Sequence, residues 1–280
     1  MSQGKITLVP VGGLANRMKA IDAAYHLAKS CQSQLRVIWF KDQGLNCRFD
    51  QLFQHPTDPI ITIQEARPCD LLLEDRPRKK NFFFPWLPEH LKYDACIYER
   101  QATQLFYNHF DYAAWAKGRK VYLASCVYFY PQPDDKLFKL FKPIASLQQR
   151  IDACSEHFNE HTIGIHIRRT DNIASITQSP TELFIKQMEE IVEHQSDTTF
   201  YLATDSEEEK QTLRQAFGNR IITSPHVAER HSLSGMQEAL IELYMLSRTS
   251  RIIGSMQSSY SETAAQIGHI HCSFINKAGI

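Results

Sequence analysis

The sequence predicts an α/β protein with mainly parallel sheets, in two parts that meet near Pro143. Three observations predict it. The chain opens with a strand, a glycine-containing loop, an amphipathic helix and a second strand, the order that makes parallel neighbours. The second half alternates strand and helix throughout. Polar clusters recur just past its strands, and in open parallel sheets ligands bind at those C-terminal ends.

In the first part, residues 5–11 hold apolar Ile6, Leu8, Val9 and Val11 and read as a strand. Gly12 and Gly13 follow, then Asn16 and Arg17 at the opening of a helix with Met18, Ile21, Ala24, Tyr25, Leu27 and Ala28 along one stripe. Residues 35–40 form the next strand. Paired glycines let a backbone approach a ligand, and a helix N-terminus favours an anion. A plain tight turn with a surface arginine explains the same residues. From 47 to 140 the pattern is less regular. Leu71–Leu73 read as a possible strand. The aromatic run at 81–87 reads as a strand end or an acceptor platform, with core packing the commoner fate of such residues. Residues 120–126 are a strand.

The second part begins with a helix carrying Ile144, Leu147, Ile151 and Cys154 on one face. Residues 163–167 are a short β-branched run, hence a buried strand, and end in Arg168, Arg169, Thr170 and Asp171. A guanidinium suits phosphate oxygens, being planar, forked and permanently charged. Successive strand residues face opposite ways, so both arginines meet one ligand only if the strand has already ended. A helix follows from Thr181, read as its cap, to His194, and then a strand at 198–203 ending in Thr204, Asp205 and Ser206. Glu207–Glu209 open the next helix, which Gly218 stops. Residues 220–223 form a short strand. Ser234 with Gln237 reads as the capping box of another helix. A strand at 251–254 leads into Gln257, Ser258, Ser259, Tyr260, Ser261 and Glu262, where Ser259 and Glu262 also match a capping box, and residues 270–275 are the final strand. Serine hydroxyls with open helix N–H groups are what a diphosphate needs. An aspartate at a strand end can accept from a base edge or a ribose hydroxyl. Together these clusters describe a nucleotide-diphosphate pocket with neither a P-loop nor a GxGxxG fingerprint.

Composition narrows the function classes. The chain has 280 residues, 43% hydrophobic and 22% charged, which suits one large or two ordinary domains. Its formal net charge is zero, which argues against broad attraction to nucleic acid or to an anionic membrane and makes any positive site a local one. Seven scattered cysteines without a CxxC pair read as reduced, mostly core thiols of a cytoplasmic protein, and His226 and His231 lack zinc-site spacing. No apolar run reaches the length of a transmembrane segment, and the N-terminus lacks a signal-peptide core.

Four blocks carry a resemblance: GGLANRM at 12–18, IGIHIRRTD at 163–171, FYLATDS at 200–206 and ALIELYMLSRTSRIIGSMQSSYSETAA at 239–265. In order and spacing the chain resembles the fucosyltransferase superfamily, which includes nodulation α-1,6-fucosyltransferases, core N-glycan fucosyltransferases and protein O-fucosyltransferases. The resemblance implies a GT-B-like fold of two Rossmann-like domains. It makes 1–142 the acceptor side with the glycine-rich loop and 143–280 the nucleotide-sugar-binding domain. It implies inverting transfer of fucose from GDP-fucose to a glycan or lipid-linked saccharide, with no cofactor and no metal. Carried over by motif, Arg168 contacts the β-phosphate, with Arg169 and Asp171 in support. His166 lines the guanosine side and Asp205 binds the guanosine part. Ser258 and Ser259 hold the phosphates, and Glu262 in the same block belongs to the donor-binding set. Gly13, Asn16 and Arg17 reach the donor from the first domain. No acceptor-activating base is assigned: 172–180 contains no carboxylate, Glu182 belongs to a helix start, and Asp171 is expected to be tied to an arginine. Another NDP-sugar as donor, or a non-catalytic nucleotide-sugar-binding protein, are the alternatives.

Overall fold

A computed structural model describes residues 4–131, 137–170 and 173–277. The chain divides into two compact units, Met1–Lys142 and Pro143–Ile280. Each builds its own five-stranded sheet, and every strand pairing in both sheets is parallel.

The first unit runs β1 (Lys5–Pro10), α1 (Leu14–Ser30), β2 (Gln34–Trp39), β3 (Ile61–Glu65), α2 (Asp70–Leu73), α3 (Phe83–Lys92), β4 (Ala95–Ile97), α4 (Glu99–Tyr107), α5 (Tyr112–Ala116) and β5 (Lys120–Ser125). Its sheet order is β3-β2-β1-β5-β4. The apolar stripe read along α1 is the face it buries: Met18, Ile21, Ala24, Leu27 and Ala28 are all enclosed. Gly12 has φ +87°, the left-handed region that a side chain would resist, and turns the chain from β1 into α1.

Two expectations fail in this unit. Leu71–Leu73 belong to helix α2, not to a strand. Three consecutive leucines are apolar on every side, so periodicity cannot choose between helix and strand. The aromatic run forms the start of α3, and its Phe82, Phe83 and Phe84 are exposed instead of packed in the core. Pro85 lies in the first turn, where a missing N–H leaves no partner unsatisfied, and that helix-start signal is masked by the β-propensity of the phenylalanines.

The second unit runs α6 (Ala145–Ser155), β6 (Thr162–Ile167), α7 (Ile173–Gln178), α8 (Thr181–His194), β7 (Thr199–Thr204), α9 (Glu207–Phe217), β8 (Ile221–Thr223), α10 (Leu233–Leu246), β9 (Arg251–Ser255), α11 (Ser259–Gly268) and β10 (His271–Ile275). Its sheet order is β10-β9-β6-β7-β8. From β6 the chain winds outward through β7 to β8, then crosses back to build β9 and β10 on the other side. The strand order therefore reverses between β6 and β9. At such a reversal the two connecting loops leave in opposite directions and open a crevice.

All six residues of β6 are buried. Ile163, Ile165 and Ile167 join Phe184, Met188, Phe200, Leu202 and Leu213 in one core cluster, on the side of α8 and α9. Each such side chain contributes about 1.5–3 kcal/mol by leaving water. The alternate residues face α10 and α11. A Cβ on Gly164 would lie 2.8 Å from Thr249 Oγ1 and 2.9 Å from Leu246 Cδ2, so glycine lets α10 pack directly on the strand.

Three helix starts differ from the expectation by one or two residues. Pro180, not Thr181, is the N-cap of α8. Ser232, not Ser234, caps α10 by accepting from the Gly235 N–H. Ser258, not Ser259, is the N-cap of α11, which displaces Glu262 from the third position a capping box requires. Each start lies in a run of several hydroxyl residues or beside a proline, where composition marks the neighbourhood but not the residue. Ser206 and Gly218 do delimit α9 as read.

Candidate functional site

The strand alternation decides the split of the twin arginines. Counting on from β6, Arg168 keeps the parity of His166 and faces α11. Arg169 keeps that of Ile167 and faces α8 and α9. The contacts follow this division. Arg169 gives Nε to Glu209 Oε1 at 2.7 Å, one terminal nitrogen to Thr181 Oγ1 at 2.9 Å and the other to the Arg168 carbonyl at 2.9 Å. Thr181 in turn donates to Glu209 at 2.7 Å. Arg169 thus clamps α8 and α9 to the end of β6. All three of its guanidinium nitrogens serve the scaffold.

Arg168 stands at the crevice. Its backbone N–H donates to Ser255 Oγ at 3.1 Å, tying the end of β6 to the end of β9 where the strand order reverses. Its Nε lies 3.4 Å from Asp205 Oδ2. Asp205, at the end of β7, collects the turn around itself. Its carboxylate accepts the Arg169 N–H at 2.7 Å, the Thr170 N–H at 3.3 Å and the Thr170 hydroxyl at 2.5 Å. Burial alone would raise the Asp205 pKa. The Thr170 hydroxyl, the Arg168 charge and the Arg169 N–H outweigh it, and the carboxyl is held below its ordinary value. Asp205 thus shapes the Arg168–Thr170 turn, in addition to whatever contact with guanosine the resemblance implies for it. Asp171 lies outside the described residues.

His166 is buried one turn of the pleat below Arg168. Its Nδ1 is 2.7 Å from Ser261 Oγ and 3.3 Å from Ser258 Oγ, and its ring meets the Tyr260 ring at a tilt, 4.8 Å between centroids. It holds the first turn of α11 against β6. Gly254 permits the approach, because a Cβ there would come within 2.9 Å of Ser261 Cβ. Ser258 is buried at the mouth of this helix, Ser259 is half-buried, and Glu262 is exposed. Burial, reinforced by the Arg168 charge, lowers the His166 pKa from 6.5 to about 3. The sign follows: between those values the unfolded chain binds the extra proton, so this residue contributes stability above pH 6.5 that is lost as pH falls. His166→Gln cannot titrate. Denaturant melts from about pH 7 down to about pH 5 should show wild type losing stability relative to the variant by up to about 1.4 kcal/mol per pH unit. A constant gap would mean that His166 titrates alike in both states.

In the first unit, Gly13 is the N-cap of α1, with extended backbone, and Asn16 is half-exposed in the first turn. Arg17 is placed differently from the donor contact expected of it. It is 0% exposed, lies under the Trp39 ring at 5.0 Å, and donates to the Gly12 carbonyl at 2.8 Å, the Phe40 carbonyl and Asp42 Oδ1 at 2.7 Å. It fastens the loops after β1 and β2 to each other. Burial lowers its pKa, and the Asp42 charge opposes that shift.

Among the described residues, no group of three or more His, Cys, Asp or Glu side chains is placed to hold a metal ion, and no helix is long and apolar enough to cross a membrane. Sequence reasoning placed Tyr260 and Ser261 in a polar cluster without giving either a role, passed over Ser255 as a site residue, and saw Glu209 only as a helix-opening acid. The available signal was Arg169 itself, since a second charge beside a buried strand requires a counter-charge.

No protein-family model matches the chain, and no curated protein matches it by sequence. Its likeness to solved structures is clear in the fold. NodZ α-1,6-fucosyltransferase soaked with GDP-fucose aligns over 95% of this chain and 93% of its own, at 16% identity and a TM-score of 0.64. A point mutant of Arabidopsis thaliana FUT1 in complex with GDP aligns over 98% and 70%, at 16% identity and 0.60. POFUT1 in complex with GDP aligns over 98% and 98%, at 10% identity and 0.56. The chain thus has the GT-B-like fold of the fucosyltransferases, with one Rossmann-like sheet in each unit.

Proposed function

We propose that this chain, on the fold that GDP-bound fucosyltransferases share, is an inverting, metal-independent glycosyltransferase of the cytoplasm that moves fucose from GDP-fucose to a glycan or lipid-linked saccharide. The observation that carries the reading is the position of Arg168. It follows β6 at the reversal of strand order, with its backbone N–H on Ser255 at the end of β9 and its guanidinium beside Asp205 at the end of β7. Breaking the bond from fucose to GDP develops negative charge on the β-phosphate. A fixed guanidinium there stabilises the transition state more than the ground state, because the charge it meets grows as the bond breaks. The N–H groups of the first turn of α11 and the Ser258 hydroxyl supply neutral donors to the same diphosphate. The arginine then does the charge neutralisation that a divalent ion performs elsewhere. Arg169, Asp205 and His166 position these groups without touching the reacting bond.

Thermal melts with GDP, GDP-fucose, GDP-mannose, UDP-glucose or buffer, all with a chelator present, test this. A ligand that binds only the folded state at about 100 times its Kd adds about 2.7 kcal/mol, a rise of several degrees. GDP and GDP-fucose should raise the melting point and UDP-glucose should not. An equal rise with UDP-glucose would point to another NDP-sugar, and no rise with any nucleotide would overturn the donor site. Binding without consumption of GDP-fucose, across a panel of saccharides, would favour a non-catalytic protein.

A further inference from the structure

Residues 67–92 of the first unit sort their side chains unusually. Leu71, Leu72 and Leu73 of α2 are 51%, 52% and 46% exposed, and Phe82, Phe83 and Phe84 at the start of α3 are 59%, 64% and 61% exposed. Leu87 and Leu91 continue the apolar face along α3, which packs against α2. Large contiguous apolar patches are uncommon on monomers and mark interaction surfaces. The charges are sorted as well. The segment holds six Lys and Arg against four carboxylates, and all four carboxylates are buried: Asp70, Glu74, Asp75 and Glu89, at 1%, 3%, 1% and 0% exposure. Each is paired: Asp70 with Arg67, Glu74 with Arg36 and the Tyr93 hydroxyl, Asp75 with Arg78, and Glu89 with the Tyr98 hydroxyl. Lys79 and Lys80 stay exposed beside the phenylalanines, and neither has an ion-pair partner among the described residues. The surface of this stretch therefore presents apolar and cationic groups and no exposed carboxylate.

We infer that α2, α3 and the Lys79–Lys80 turn form a docking face for the surface of an anionic lipid bilayer. Phe and Leu side chains enter the boundary between headgroups and acyl chains, and Trp86 and His90, in tilted ring contact at 4.3 Å, suit the same depth. Lysines at the rim extend along the apolar face and pair with lipid phosphates. A second copy of the chain fits less well. A two-fold pairing sets the same patch against itself, so Lys79 and Lys80 would meet like charges with no exposed acid to neutralise them. This inference is independent of the donor reading: it uses none of the residues placed at the diphosphate.

The test is co-sedimentation of the full chain with vesicles of phosphatidylcholine alone, or with about 30% phosphatidylglycerol. The chain should pellet with the anionic vesicles and stay in the supernatant with the neutral ones. Raised salt should weaken binding. Lys79→Glu/Lys80→Glu and, separately, Phe83→Ser/Phe84→Ser should each weaken it by at least about tenfold, with unchanged melting and unchanged nucleotide binding. No sedimentation, equal sedimentation with neutral vesicles, or wild-type binding by both variants would overturn the inference. A soluble dimer that disperses in Phe83→Ser/Phe84→Ser, without vesicle binding, would assign the face to a second copy and overturn it equally.

Discussion

Arg168→Ala should reduce transfer from GDP-fucose by at least about a thousandfold, the range seen when an arginine that neutralises a developing phosphate charge is removed. Its melting point should fall by only about 2–4 °C, the equivalent of about 1 kcal/mol. The asymmetry follows from the contacts. Arg168 meets Asp205 through Nε at 3.4 Å, and Asp205 keeps its bonds to Arg169 and Thr170 when that side chain is gone. Arg168→Lys is the informative companion. It restores a positive charge but not the planar fork, so nucleotide affinity should recover more than turnover does. Single-turnover transfer and the GDP melting shift, measured side by side on the three proteins, check this. A stable and fully active Arg168→Ala would remove Arg168 from the site.

Asp205→Ala should be the most destabilising single change at the turn. It strands the Arg169 N–H, the Thr170 N–H and the Thr170 hydroxyl without their acceptor, and takes the counter-charge from Arg168. Hydrogen bonds to a charged group are worth about 1.5–3 kcal/mol each, and their losses overlap, so the expected cost is about 3–5 kcal/mol. That is a fall of roughly 10 °C in melting point. The carboxyl is held below its ordinary value, so its contribution is present above pH 3.8 and is lost only as pH falls through the lower folded value. The effect should thus be constant across neutral pH. The decisive comparison uses protein without nucleotide. An Asp205 that served only as a guanosine ligand would leave the unliganded melting point where it was and change only the nucleotide shift.

These two residues show what the sequence can and cannot disclose. The strands of the second unit are legible because they are short β-branched or aromatic runs between capped helices, and the parallel order follows from the alternation. The polar clusters are legible as clusters, because polar residues at the end of a buried strand have few other reasons to be there. Their internal division of labour is not legible. Arg168 and Arg169 are chemically identical. What separates them is the side of the sheet each faces and the partners waiting there, Glu209 and Thr181 from two helices distant in the chain. Asp205 reads as a ligand contact for the same reason, since the donors that occupy it are backbone N–H groups that no sequence pattern marks. Arg17 carries the same lesson in the first unit, where its acceptors are the carbonyls of Gly12 and Phe40. The aromatic run at 81–87 failed through composition. Phenylalanine is so strongly a core residue that its exposure contradicts the best available prior.

Each sheet takes all five of its strands from its own half of the chain, divided at Lys142 and Pro143. In evolutionary terms that makes the halves separable cassettes. If the proposed donor site is right, the half with the Arg168–Thr170 turn can stay under selection for one nucleotide. The other can drift, acquire insertions or be replaced, since among the described residues each sheet's ladder lies within one half. On the proposed reading, such an exchange changes what receives the sugar while keeping what delivers it.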